Sequence, residues 1–272
     1  MNERGTAAAA TAARDAMVEE GRALVDAARE RGVVLRLFGG LAVRAHCDVI
    51  AFCARDYSDL DLVGLRTQQA ETRRLFRDLG FEENLLFSRA TRGRQLQFVR
   101  PCVHAAEDDG RQVHPDDHVD VFLDTFRMDH RLDLKGRLHL DDYTIPVSDQ
   151  LLTKLQVHRQ DEKDVRDVLT LLKDLEVDDD EAPGVIGLSY LAGKCADDWG
   201  LHHDVERSLA RAEAMLPDYG LTEGEEGRVR DALARVRRAL EDAPKSLRWN
   251  LRARVGERRP WHDEVEEQGE GL

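Results

Sequence analysis

The sequence predicts a mixed α/β half followed by an α-helical half. Three observations predict it. Short apolar and β-branched runs alternate with helix-period stretches up to residue 177. A glycine pair separates the first such run from the helix after it. Beyond residue 184 the pattern is helical to about residue 243.

The elements follow in order. Residues 14–31 place Met17, Leu24, Val25 and Ala28 on one helical stripe, which Gly32 ends. Residues 1–13 read as a flexible tail. Glu3 and the lack of a Leu-type apolar core set this terminus apart from a signal peptide. VVLRLF (33–38) is a strand, Gly39-Gly40 a turn, and residues 41–47 the start of a helix. Residues 58–64 alternate polar and apolar, as a half-buried strand does. A helix over 68–79 closes at Gly80. FEENLLF (81–87) and QLQFV (95–99) read as strands. Residues 101–116, with Pro101, Gly110 and Pro115, are a loop, and 118–126 alternates as a further strand. After an extended piece at 145–147, Ser148 is placed to cap a helix over 149–159, and Asp161 a helix over 162–173. The acidic run DDDEAPG (178–184) marks a boundary. The expected organisation is a first domain over 14–177, a helical domain over 178–261 and an acidic tail over 262–272.

Composition narrows the function classes. The 272 residues are 42% hydrophobic and 35% charged, with 6% aromatic, so the core should be mostly Leu, Val and Ala. The net charge of −14 argues against a general nucleic-acid binder and fits an acidic surface or a site that gathers divalent cations. Cys47, Cys53, Cys102 and Cys195 form no CxxC pair and no zinc-ligand spacing, and are read as buried reduced thiols. Apolar stretches fall short of the roughly 18 residues that span a bilayer. The expectation is a cytoplasmic protein without a membrane partner.

The chemistry lies in an ordered set of glycines and acids. Asp59 and Asp61 are two apart on one strand, so both carboxylates share a face, while Leu60, Leu62 and Val63 are read as core. Two like charges held together are costly without a cation between them. Asp120, between Val119 and Val121 on another strand, supplies a third acid; Asp124, an even step away, is the alternative. Three carboxylates suit hard divalent ions, of the kind used for in-line displacement at phosphorus. Gly39-Gly40, at a strand-to-helix turn, allow close backbone approach to a phosphate. Arg55 reads either as a phosphate-steering residue or as a solvated loop arginine. His104, His114 and His118 read as loop histidines. The His–Asp clustering of a metal-dependent phosphohydrolase of another fold is not evident in the sequence.

FGGLAVR (38–44) followed by RDYSDLDLV (55–63) resembles the polymerase-beta-type nucleotidyltransferase superfamily. A second glycine stands where that superfamily often has Ser. LLTKLQVHRQDEKDVRDV (151–168) resembles the helical motif of the abortive-infection toxin nucleotidyltransferases and their relatives, with Lys154 at the triphosphate and Lys163-Asp164 in a second motif. The resemblance implies a nucleotidyltransferase fold with a mixed sheet, followed by a helical domain. It implies Asp59, Asp61 and Asp120 as ligands of Mg²⁺ or Mn²⁺, with Lys154 beside them in catalysis. It implies nucleotide contacts from Gly39, Gly40, Arg55, Ser58, Lys154 and Asp164. The expected activity is transfer of an NMP from an NTP to an acceptor hydroxyl on RNA, protein or a small molecule. The alternative is a non-catalytic nucleotide-binding or interaction module. The basic segment 245–261, with Trp249 and Trp261 among its arginines, is read either as an RNA-holding surface or as a helix docked back through its tryptophans.

Overall fold

The computed structural model describes residues 3–49, 52, 59–100 and 118–263, the first thirteen of these by backbone alone. They form two compact units. One comprises Met1–Ala45, Ala54–Phe126 and Asp133–Ile145; the other His46–Cys53, Arg127–Leu132 and Pro146–Leu272. Compactness therefore divides the chain after Ile145, ahead of the acidic run at 178 that suggests a boundary in the sequence. Among the described residues no helix is long and apolar enough to cross a membrane.

The first unit contains α1 (Glu3–Glu30), β1 (Leu35–Phe38), α2 (Gly39–Ala45), β2 (Asp59–Gly64), α3 (Gln69–Asp78), β3 (Glu82–Glu83), α4 (Leu85–Ala90), β4 (Gln95–Val99) and β5 (His118–Leu123). Helix α1 begins well before the expected residue 14, because its Ala-rich start is a strong helix former. The strands form a mixed sheet in the order β1-β2-β5-β4-β3. Only the β2–β5 pair is parallel; β1–β2, β5–β4 and β4–β3 are antiparallel. Residues 143–145 run along β1, with the Leu37 N–H donating to Tyr143 O at 2.7 Å and the Ile145 N–H to Leu37 O at 3.0 Å.

Strand alternation gives the sheet two unlike faces. Leu35, Leu37, Leu60, Leu62, Leu96, Phe98, Val119 and Val121 bury one face against α1 and α3, where Val25, Ala28, Leu75 and Phe76 meet them. Phe76 stacks flat on Phe98 at 4.1 Å between ring centroids. Each such side chain contributes about 1.5–3 kcal/mol by leaving water. The other face is split. Phe38, Val63, Leu134, Leu138 and Ile145 form a second apolar cluster with Phe122 and Phe126 against it. The polar residues of β2, β4 and β5 occupy the rest. Val63 therefore lies with the acids and not with Leu60 and Leu62, as period-two geometry requires.

Two local readings are corrected. FEENLLF does not continue as a strand: β3 stops at Glu83 and α4 begins at Leu85, because the Asn84 side chain accepts the Phe87 N–H and caps a helix. Strand β5 ends at Leu123, because Asp124 turns to φ 65° and its Oδ1 accepts the Arg66 N–H at 3.0 Å. The turn takes Asp124 off the alternation that would have put it beside Asp120.

Two short strands follow, β6 (Thr125–Arg127) and β7 (Arg131–Asp133). The second unit then runs through α5 (Val147–Leu155), α6 (Glu162–Asp174), β8 (Glu176–Asp178), β9 (Val185–Gly187), α7 (Leu188–Asp197), α8 (Trp199–Met215), α9 (Glu223–Asp242) and α10 (Leu247–Val255). Strands β8 and β9 pair in parallel around the acidic run. Ser148 does not cap α5. The helix starts two residues earlier, at Val147 after Pro146, and the buried Ser148 hydroxyl accepts the Gly187 N–H at 2.9 Å. Asp161 does cap α6, accepting the Asp164 N–H at 2.9 Å. Cysteine usage also differs from the expectation of reduced thiols. Cys47 is disulfide-bonded, and its partner lies outside the described residues. Cys195 is free and buried, and burial pushes its thiol pKa up to about 12.

Candidate functional site

Asp61 and Asp120 are register partners on the two parallel strands, and Asp59 stands opposite His118 one step earlier. Neighbouring strands lie about 4.8 Å apart, so the three acids share one small area of one face. His118 Nε2 lies 3.7 Å from Asp59 Oδ1 and 3.6 Å from Asp120 Oδ2. His118 is thus a strand residue among the acids and not a loop histidine. Its position two before Asp120, on the same side of an alternating strand, was the available sequence signal.

The glycine turn meets the same acids. Phe38, the last residue of β1, is the register partner of Asp61. Gly39 follows at φ 68°, and a Cβ there would come within 2.4 Å of Asp61 Oδ2. Only glycine combines that backbone with that approach. Gly40 continues into α2. The chain therefore leaves β1 against the carboxylate it pairs with.

Asp120 has a second support. Gln97 on β4 is its register partner, and Gln97 Nε2 donates to Asp120 Oδ1 at 3.2 Å. Sequence reasoning passed over Gln97, although it lies on the polar side of QLQFV. Arg55 and Ser58 lie outside the described residues.

No family model, curated protein or solved structure matches this chain.

The donor set can be judged on its own chemistry. Asp59, Asp61 and Asp120 offer carboxylate oxygens alone, the ligands preferred by hard cations such as Mg²⁺ and Mn²⁺. Gly39 keeps side-chain volume out of the space beside Asp61. These residues fit such an ion. Among the described residues no three His, Cys, Asp or Glu side chains are already drawn together as a metal-holding group.

Lys154 and Asp164 belong to the second unit, and the structure brings them together. Lys154 Nζ lies 3.2 Å from Asp164 Oδ1 and 2.9 Å from Asp167 Oδ2. Asp167 is buried, so this pair is well shielded from water. Asp164 pairs with Lys154, while Arg166 bonds Glu162. Lys163 is exposed and lies 3.4 Å from Asp161.

The second unit also gathers a His–Asp cluster that the sequence did not reveal. Asp204 is buried, with His130 Nε2 at 2.8 Å, His158 Nδ1 at 2.9 Å and Trp261 Nε1 at 3.0 Å. Burial pushes the Asp204 carboxyl up, but the hydrogen bonds from His130, His158 and Trp261 outweigh it and hold the pKa below its ordinary value. His262 stacks on His158 at 4.1 Å, and the Asp263 N–H donates to Asp129 O. The cluster thus fastens residues 261–263 to α8. Arg252 reinforces it, donating to Gly256 O, Arg259 O and Pro260 O and lying 4.9 Å over the Trp199 ring. The aromatic part of the basic segment is used in packing, whereas Arg248, Arg254, Arg258 and Arg259 face solvent.

Proposed function

We propose that this protein is a metal-dependent nucleotidyltransferase that moves a nucleoside monophosphate from an NTP to an acceptor hydroxyl. One observation carries the reading: Asp61 faces Asp120 across parallel strands, at the point where positive-φ Gly39 presses on Asp61. Carboxylates gathered on one face of a sheet form an oxygen donor set of the kind hard divalent cations take, which supports this reading.

Asp59, Asp61 and Asp120 are the residues that would hold Mg²⁺ or Mn²⁺. Such ions, when bound, activate the attacking oxygen and offset charge on the leaving pyrophosphate. Gly39 lets the backbone at the start of α2 come close to Asp61. Asp120, whose Oδ1 accepts from the Gln97 amide, is also the residue that would assist deprotonation of the acceptor. Positioning and charge complementarity supply most of the acceleration in such chemistry. Lys154, which pairs with Asp164 and Asp167, would neutralise triphosphate charge. The acceptor class is RNA, protein or a small hydroxylated molecule. RNA is favoured only by the exposed arginines of 245–261, and the acidic whole opposes it.

The test is thermal unfolding of the full chain with and without each NTP and Mg²⁺ or Mn²⁺, for wild type and Asp59→Asn/Asp61→Asn. Each variant is compared with its own ligand-free baseline, because removing clustered charge changes stability by itself. Ligand at 100 times its Kd adds about 2.7 kcal/mol. The expected result is a metal-dependent rise in wild type that the double variant loses. No rise with any NTP would replace this reading with a non-catalytic module on the same fold.

A further inference from the structure

We infer that Gln97 is a positioning residue for Asp120, held in a single orientation by Asn84; this rests on reading Asp120 as a metal ligand. A glutamine amide can flip, which exchanges its donor for its acceptor. Here each end is assigned by its neighbour. The Asn84 carbonyl oxygen accepts the Phe87 N–H at 3.2 Å as the cap of α4, which fixes which end of the Asn84 amide is the donor. Asn84 Nδ2 then donates to Gln97 Oε1 at 2.8 Å, which fixes Gln97 in turn. Gln97 Nε2 is left to donate to Asp120 Oδ1 at 3.2 Å. Reversing Gln97 would set its oxygen against the Asp120 carboxylate and its NH₂ against that of Asn84.

The backbone holds the relay in place. The Asn84 N–H donates to Gln97 O at 2.8 Å, one residue past the end of β3, and Gln97 is the strand partner of Asp120. The three side chains therefore stand on a helix cap and two adjacent strands, all within one unit. The consequence is chemical. One oxygen of Asp120 is committed to a neutral donor, which fixes the carboxylate plane and leaves Oδ2 directed to the cluster of Asp59 and His118. Hydrogen-bond partners of metal ligands commonly account for about 10–100-fold in metal affinity.

The test uses Mn²⁺ alone, followed by the paramagnetic resonance of free and bound ion on the full chain without nucleotide. Gln97→Leu should weaken Mn²⁺ binding about 10–100-fold. Asn84→Asp retains a good helix cap but replaces the donor to Gln97 by an acceptor, and should weaken binding in the same direction. The melting temperature of metal-free Asn84→Asp should stay near wild type, which separates positioning from folding. Wild-type affinity in both variants would overturn the role of Gln97 while leaving the metal reading intact. Absence of Mn²⁺ binding by wild type would overturn the metal reading and the relay together.

Discussion

A methyl group on Gly39 would meet both a steric and a conformational obstacle. The position has φ 68°, which costs an L-residue roughly 1–2 kcal/mol, and the new Cβ would lie 2.4 Å from Asp61 Oδ2. Gly80 is a natural control, since its φ is 84° but nothing lies within 4 Å of an added Cβ. Gly39→Ala should therefore lower stability by more than Gly80→Ala in denaturant unfolding, and it should also lose the nucleotide-dependent rise. Equal losses would mean that the closeness to Asp61 carries no weight. The common face of Asp59 and Asp61 was legible because side chains two apart on a strand point the same way. Asp124 was not, since its turn depends on accepting the N–H of Arg66, 58 residues earlier in the chain. Gln97 and Asn84 carry no local pattern that points to Asp120; their link to it runs through hydrogen bonds across the sheet.

At the scale of elements, caps decided more than hydrophobicity did. Asn84 turns a run that reads as a strand into α4, leaving Leu85 and Leu86 exposed; short apolar runs do not distinguish helix from strand by periodicity. Asp161 shows the reverse case, a cap visible in the sequence and present in the structure. Burial pushes its carboxyl up, but the Asp164 N–H and Lys163 outweigh this and hold the pKa below the ordinary value. A carboxyl depressed by folding adds stability above its unfolded pKa and loses it as pH falls through the folded one. Asp161→Ala should cost about 1 kcal/mol at pH 7. Asp161→Asn, which keeps the cap oxygen without the charge, should cost less and remove the part of the acid dependence that lies below about pH 4. Urea unfolding at pH 7 and pH 3.5 distinguishes the two.

Across the whole molecule, charge and histidine burial set the response to acid. His202 lies between the packed helices and meets Trp249 edge-on at 5.4 Å. Burial above all, then Lys245 and His203, lowers its pKa from 6.5 to about 4. Between those values the unfolded chain binds a proton that the folded one does not. Stability therefore falls as pH drops through that window. The loss is at most about 3 kcal/mol, and smaller because the ring keeps partial access to water. His202→Gln should flatten the fall in melting temperature between pH 6.5 and pH 4.5; an unchanged slope would show that another group carries it. The sequence by itself determined the alternation of the strands, the Asp161 cap, the glycine turn and the shared face of Asp59 and Asp61, because periodicity and caps are local properties of the chain. Only the tertiary structure decided that Asp61 faces Asp120, that Gln97 holds Asp120, and that His130, His158 and Trp261 converge on Asp204. Those relations are matters of register and packing between residues far apart in the chain, where the burial of apolar faces selects the pairing and the polar groups follow.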